Sequence, residues 1–363
     1  MSLILSRSIQ KELHETATAI ARPGKGILAA DESFGSIEKK FSTIGIENTP
    51  ENRRLYRQLL LCNSEISQFI SGVILHEETI YQKDDEGNLL INVLRRNSII
   101  PGVKVDKGVV PLLGCNYETA TQGLDDLKSR CQVFYRLGCR FAKWRAVFRI
   151  GDIEPSTIAI EENVKSLARY AAICQENRIV PIVEPDILQD GKHDIEKCQL
   201  VSQKIFSSVI NALHQYNVCI EGILLKLNMI TSGYDCSNKS TPEEIGLATI
   251  TTLLRTCPPA IPGILFLSGG QSEEEATTNL NAINKAIKCQ GPWTLSFSFG
   301  RALQQSALHV WNGKSENVSK AQEALLKRMK ANSLASLGKY VPGLISFDTF
   351  AEKSFVTSID ISE

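Results

Sequence analysis

Eight short apolar runs, spread along almost the whole chain, constrain the fold more than any other feature of the sequence. They lie at 26–30, 72–75, 99–103, 139–142, 179–183, 222–225, 263–267 and 293–297. Each is continuously apolar rather than alternating, the pattern of parallel strands buried on both faces. Helix-period segments separate them. Thr49 and Pro50 open one as cap and first-turn proline, with Leu55, Leu59, Ile66 and Ile70 on one face. Stripes of the same kind start at Leu124, Ile160 and Ile195, and capping boxes start two more helices at Thr241 and Ser272. A long helix is expected over 315–337. Strand followed by helix, eight times, predicts an α/β fold of the (β/α)8 TIM-barrel type. A doubly wound open sheet is the alternative. It would want a phosphate fingerprint in its first strand–helix turn, and neither G-x-G-x-x-G nor a Walker motif is present. The chain reads as one barrel domain over 1–342, followed by a weakly periodic tail over 343–363.

Charge narrows the partners. Lys+Arg and Asp+Glu both number 40, so the formal net charge is zero, which argues against nucleic acid or a membrane held by bulk charge. No signal peptide and no membrane span is expected. Ten cysteines without a Cys-x-x-Cys pair or zinc-type spacing read as free thiols in a reducing compartment, hence a cytoplasmic protein.

In a barrel the chemistry belongs at the C-terminal ends of the strands. Seven of the eight ends carry polar clusters: Asp31-Glu32-Ser33, Lys104-Val105-Asp106-Lys107, Lys143-Trp144-Arg145, Glu184-Pro185-Asp186, Lys226, Ser268-Gly269-Gly270-Gln271 and Ser298-Phe299-Gly300-Arg301. Alternation along a strand points Lys143 and Arg145 to one side, and Glu184 and Asp186 likewise. Any one such pair also fits an ion pair filling a polar barrel mouth. Lys226 ends the run at 222–225. Burial in such a run disfavours an ammonium, and a neutral lysine amine is suited to Schiff-base chemistry. The bland alternative is a lysine that snorkels to solvent. Ser268, Gly269, Gly270, Gly300 and Arg301 sit after the seventh and eighth runs, where barrels often bind phosphate.

These stretches resemble the class I fructose-1,6-bisphosphate aldolase family over nearly the full chain. The matching segments are GKGILAADES at 24–33, KVDKG at 104–108, FAKWR at 141–145, VPIVEP at 180–185, LLK at 224–226, FLSGGQSEEE at 266–275 and GRALQ at 300–304. The resemblance implies that Lys226 forms an imine with the ketose, and that Glu184 is the acid/base for dehydration of the carbinolamine. It implies that Asp31 takes the C4 hydroxyl proton, and that Lys143 lies close enough to discourage full charge on Lys226. Ser268, Gly269, Gly300 and Arg301 would hold the C1 phosphate, with Gly270 among the substrate-binding residues. Ser33, Ser36, Lys104 and Arg145 would place the C6 end, with Asp186 among the substrate-binding residues. The imine serves as electron sink, so neither metal nor cofactor is expected. A phosphorylated sugar is the expected partner, in a homotetramer, with cytoskeletal or adhesin-type partners as a separate possibility. Another Schiff-base barrel, such as transaldolase, and a scaffold protein are the competing readings.

Four positions depart from the family's usual residues. Phe34 replaces Thr, Asp186 replaces Glu, Leu227 replaces Pro, and the chain ends Ile361-Ser362-Glu363 where a tyrosine is common.

Overall fold

The computed structural model describes residues 5–115, 117–287 and 291–343, and in it each apolar run becomes a strand. In chain order, α1 (Arg7–Ile20) precedes β1 (Gly26–Ala30), and α2 (Phe34–Ser42) and α3 (Pro50–Leu61) lead to β2 (Ile70–Leu75). Next, α4 (Glu77–Tyr81) and α5 (Leu90–Arg96) lead to β3 (Ile100–Lys104), and α6 (Leu127–Leu137) to β4 (Phe141–Phe148). From there strand and helix alternate through α7 (Thr157–Glu176), β5 (Val180–Ile187), α8 (Ile195–Gln215), β6 (Leu224–Leu227) and α9 (Pro242–Thr256). The barrel is completed by β7 (Gly263–Phe266), α10 (Glu273–Ala286), β8 (Thr294–Phe299), α11 (Arg301–Trp311) and α12 (Val318–Ala335).

All eight strands are parallel, and each pairs with its sequence neighbours. Pairing of β1 with β8, Ile27 opposite Ser298, closes the cylinder. The predicted (β/α)8 barrel is therefore the observed one. Local chemistry starts the helices where it should. Thr49 accepts a bond from Asn52 N, and both capping boxes form, Thr241 with Glu244 and Ser272 with Glu275.

Two apolar layers result from the strand alternation. One lies between sheet and helices. The other fills the cylinder, with Ile27, Ile74, Phe141, Val180, Ile182, Leu224 and Leu265 in contact. Glycines make room for aromatic rings in both layers. A methyl group on Gly102 would fall 2.2 Å from the Phe141 ring inside the cylinder, and one on Gly26 2.5 Å from Phe297 in the layer between sheet and helices. The α1 helix, which the apolar runs do not announce, closes the N-terminal end by burying Leu13, Ala17 and Ile20 against this interior layer.

Several sequence expectations are corrected. The stripe from Leu55 does not continue as helix. α3 stops at Leu61, Ile66 lies in a 3-10 turn, and Ile70 begins β2. Asn63 ends the helix by accepting a bond from Glu65 N, so its side chain competes with helix continuation. Leu124 precedes α6, whose flanking Asp126 has φ +58°. The 315–337 segment is a 3-10 turn followed by α12. The run at 222–225 starts β6 only at Leu224, because Ile220–Gly222 forms a 3-10 turn packed on Leu13. Lys226 therefore lies within its strand. The strands of the fourth and fifth runs extend to Phe148 and Ile187, so Lys143, Arg145, Glu184 and Asp186 are strand residues as well. A two-stranded hairpin of Val109–Pro111 with Thr119–Thr121, not foreseen, follows β3. The tail after residue 343 lies outside the described residues.

Candidate active site

Strand alternation assembles the centre of the mouth. On β4, Trp144 turns outward and stacks on Tyr170 of α7, ring centroids 5.4 Å apart. Its neighbours Lys143 and Arg145 therefore turn inward. The Lys143 ammonium lies 3.1 Å from Asp31 Oδ2 and 3.0 Å from Glu184 Oε2, and Lys226 Nζ lies 3.0 Å from Glu184 Oε1. Asp31, Lys143, Glu184 and Lys226 are 8%, 5%, 3% and 5% exposed. Two ammonium groups and two carboxylates thus balance in a space nearly closed to water. At that depth an unpaired charge is costly, and a compensated set is tolerated.

The electrostatics follow from this balance. Burial disfavours the Lys143 ammonium, but Asp31, Glu184 and Asp106 outweigh it and hold its pKa above the ordinary lysine value. Burial also works against the Asp31 carboxylate, yet Lys143, Lys226 and Lys104 hold it below the usual carboxylate range. Lys143 donates a hydrogen bond to Asp31. Glu184 Oε2 accepts none among the described residues, although Lys143 is 3.0 Å away, so that contact is an ion pair off the lone-pair directions. An oxygen of that kind is open to a reacting proton.

The other predicted residues surround this group. Arg145 donates through Nε to Asp186 Oδ2 at 2.7 Å, and its backbone N–H reaches Asp106 Oδ2. The Asp186 carboxylate is thus turned to Arg145 rather than to the lysine pair. Lys104 bonds to the carboxylate and to the carbonyl oxygen of Asp106. Ser33 caps α2 and donates to Ser36 Oγ at 3.0 Å. Leu227 is buried in the layer between sheet and helices, on the opposite side of the strand from Lys226.

Beyond β7 and β8 the backbone is built for close approach. Ser268 is buried, and Gly270 takes φ +76° with the Tyr234 hydroxyl packed on its α-carbon. Gly300 precedes α11, and no side chain among the described residues caps that helix, so its first N–H groups are available to an anion. Arg301 is held by a 3.0 Å bond from Nη2 to the Gln271 carbonyl. Buried polar atoms of Asn228, Gln271 and Ser298 have no hydrogen-bond partner among the described residues, which suits a polar ligand. The groove of about 350 Å³ lined by Leu5, Gln10, His214 and Glu221 lies at the opposite end of the barrel, away from this chemistry.

Three neighbours escaped the sequence reading. Glu32 is clamped between Lys40 and Arg57, the latter at 2.7 Å, and despite burial these cations bring its pKa down to about 2. It fixes the loop that carries Asp31. His76 directly follows β2, the one strand left without a site residue, and the same strand-end rule would have named it. Tyr234 lies seven residues beyond its strand, and nothing local marks it.

Comparison with known proteins places this geometry among relatives. The family model described as fructose-bisphosphate aldolase class-I matches residues 12–360. The chain is 58% identical to cytosolic fructose-bisphosphate aldolase 5 of Arabidopsis thaliana over 343 residues, 94% of this chain and 95% of that one. It is 55% identical to fructose-bisphosphate aldolase C of Macaca fascicularis over 337 residues, covering 93% and 92%. Among solved structures, the Plasmodium falciparum fructose-bisphosphate aldolase, in complex with TRAP and a small molecule inhibitor, superposes with a TM-score of 0.92 at 53% identity. That match covers 93% of this chain and 98% of the other.

Proposed function

Since this chain belongs to the class-I fructose-bisphosphate aldolase family, we propose that it cleaves fructose 1,6-bisphosphate reversibly through a Schiff base on Lys226. The products are dihydroxyacetone phosphate and glyceraldehyde 3-phosphate, in glycolysis and gluconeogenesis. The observation that carries this reading is the buried chain of contacts from Lys226 to Glu184 to Lys143 to Asp31.

The steps follow from those distances. Glu184, 3.0 Å from Lys226 Nζ, takes a proton from the ammonium and frees the amine. The amine adds to the C2 carbonyl, and the carbinolamine loses water as Glu184 returns a proton to the departing hydroxyl. The resulting iminium withdraws electrons from C3. Asp31, held ionised by Lys143, removes the C4 hydroxyl proton. The C3–C4 bonding pair moves into the iminium, which becomes an enamine, and the aldehyde half leaves. Protonation at C3 and hydrolysis then restore Lys226. Lys143 stays protonated throughout, holds the Asp31 carboxylate ionised and keeps Glu184 in place. Ser268, Gly269, Gly270, Gly300 and Arg301 bind the 1-phosphate. Ser33, Ser36, Lys104 and Arg145 place the other end, and Asp186 orients Arg145.

Class-I members are metal-independent lyases, and we read this chain the same way. The cytosolic and cytoplasmic names of its plant relatives support a cytoplasmic location. A homotetramer follows from the family resemblance. The complex of the Plasmodium falciparum relative with TRAP supports adhesin-type partners as a second, non-catalytic role.

The test is borohydride reduction with dihydroxyacetone phosphate, followed by peptide mapping. The adduct is expected on Lys226. An adduct on Lys143 or Lys104, or loss of cleavage in EDTA that zinc restores, would overturn the mechanism.

A further inference from the structure

We propose that His76 and Phe34 form a further binding element for the 6-phosphate end of the substrate, the imidazole Nε2–H acting as donor and the phenyl ring holding it in place. This rests on reading the site as that of a fructose-bisphosphate aldolase.

Strand register carries the first part. Ala30 pairs with Leu75 and Leu75 with Val103, so the next residues along, Asp31, His76 and Lys104, come abreast. Ala30, Leu75 and Val103 all belong to the layer between sheet and helices, which sends the residue after each to the barrel side. Asp31 confirms that direction by meeting Lys143. His76 thus stands between the base proposed for the C4 hydroxyl and Lys104, with Ser33 and Ser36 on the adjoining α2.

Side-chain contacts carry the second part. His76 Nδ1 accepts a bond from Glu78 N at 3.3 Å, which assigns the neutral tautomer with its hydrogen on Nε2. Among the described residues Nε2 has no hydrogen-bond partner. Phe34, half exposed at the mouth, packs against the imidazole with centroids 5.0 Å apart and the ring planes tilted by 57°. The Arg53 guanidinium lies 4.5 Å from the same ring and is held by both Glu78 oxygens, at 2.8 and 2.6 Å. Glu78 therefore anchors the assembly from its backbone and its carboxylate. Phe34 stands where the family usually has threonine, so the ring is a departure of this chain that needs its own account.

Charge decides how the element acts. The groups facing His76 are Arg57 of α3, Lys104 of β3, Glu78 of α4 and Asp31 after β1. Burial, then Arg57 and Lys104, holds the imidazole below the usual histidine range, so it is a neutral donor at pH 7. A phosphate dianion stabilises the protonated ring, so binding tightens as pH falls.

The test compares fructose 1,6-bisphosphate with fructose 1-phosphate, which lacks the 6-phosphate. His76→Phe keeps an aromatic ring against Phe34 and removes the donor. It should raise KM for the bisphosphate about tenfold, as expected for losing a hydrogen bond to a charged group, and leave KM for fructose 1-phosphate within about twofold. His76→Gln, which can present an N–H near the Nε2 position, should recover most of the loss. Phe34→Thr, which keeps the histidine, should give a smaller loss in the same direction, and it serves if His76→Phe does not fold. In the unmodified protein the kcat/KM ratio of bisphosphate to 1-phosphate should rise from pH 8 to pH 6, and in His76→Phe it should stay flat. Equal effects on both substrates, or an unchanged bisphosphate KM in a folded variant, would overturn the proposal. An unmodified protein that cleaves neither sugar would instead overturn the reading beneath it.

Discussion

Replacing Lys143 with methionine tests the charge balance that the proposed chemistry needs. The side chains are similar in length, so packing is roughly kept, but the buried set changes from neutral to one net negative charge. Asp31 loses its hydrogen-bonded partner at 3.1 Å and Glu184 a contact at 3.0 Å. Breaking a buried pair by removing one partner costs about 3–5 kcal/mol. For 363 residues at about 2.1 cal/mol/K each, that lowers the melting temperature by about 4–7 °C. The sign with pH is fixed by Asp31. In the native site its pKa is depressed, so its contribution to stability is present above the unfolded value near 3.9 and is lost as pH falls. In Lys143→Met that depression becomes an elevation, so the cost is full at neutral pH and shrinks as acid protonates Asp31. The gap between the two proteins should therefore narrow from pH 7.5 to pH 4.5 in thermal melts. Adding Asp31→Asn to Lys143→Met should recover much of the stability while cleavage stays lost. Turnover in Lys143→Met should fall about 10²–10⁴-fold, the usual contribution of a general base. A gap that does not change with pH, or a variant as stable as the parent at pH 7.5, would refute the reasoning.

Other outcomes follow from the same site. Lys226→Met should abolish both turnover and borohydride trapping, and circular dichroism should show the fold retained. Arg301→Ala should raise KM with kcat little changed, because phosphate binding is largely shared by ground and transition states; a selective loss of kcat in steady-state assays would contradict this. Gly270→Ala would put a methyl group 1.1 Å from the Tyr234 hydroxyl at φ +76°, so it should lower the melting temperature and raise KM together. The last nine residues contain no phenol, and their carboxylates are ionised at neutral pH. Deleting 355–363 should therefore change kcat by less than about threefold, under about 0.7 kcal/mol of barrier; a tenfold drop in kcat and in detritiation of dihydroxyacetone phosphate would show that the tail carries the proton.

The sequence by itself pointed to the barrel and to the polar residues gathered at its mouth. Short continuous apolar runs alternating with helix-period segments suit parallel strands buried on both faces, and the capping signals at Thr49, Thr241 and Ser272 act within one turn of chain, so both are read locally. Polar residues stand out at the ends of such runs, which exposed Asp31, Lys143, Glu184 and Lys226. Tertiary structure alone decided how they meet. These four residues are far apart in the chain, and only strand register and inward alternation bring Lys143 within 3.1 Å of Asp31 and 3.0 Å of Glu184. It also decided that Asp186 serves Arg145, and that the stripe from Leu55 breaks after Leu61, where Asn63 bonds to the backbone. Neither α1 as the plug of the barrel nor the clamp of Lys40 and Arg57 on Glu32 has a local signature, because each depends on surfaces supplied by distant segments. The chain encodes its periodicities locally, whereas the charges that make the site work are compensated only across the closed sheet.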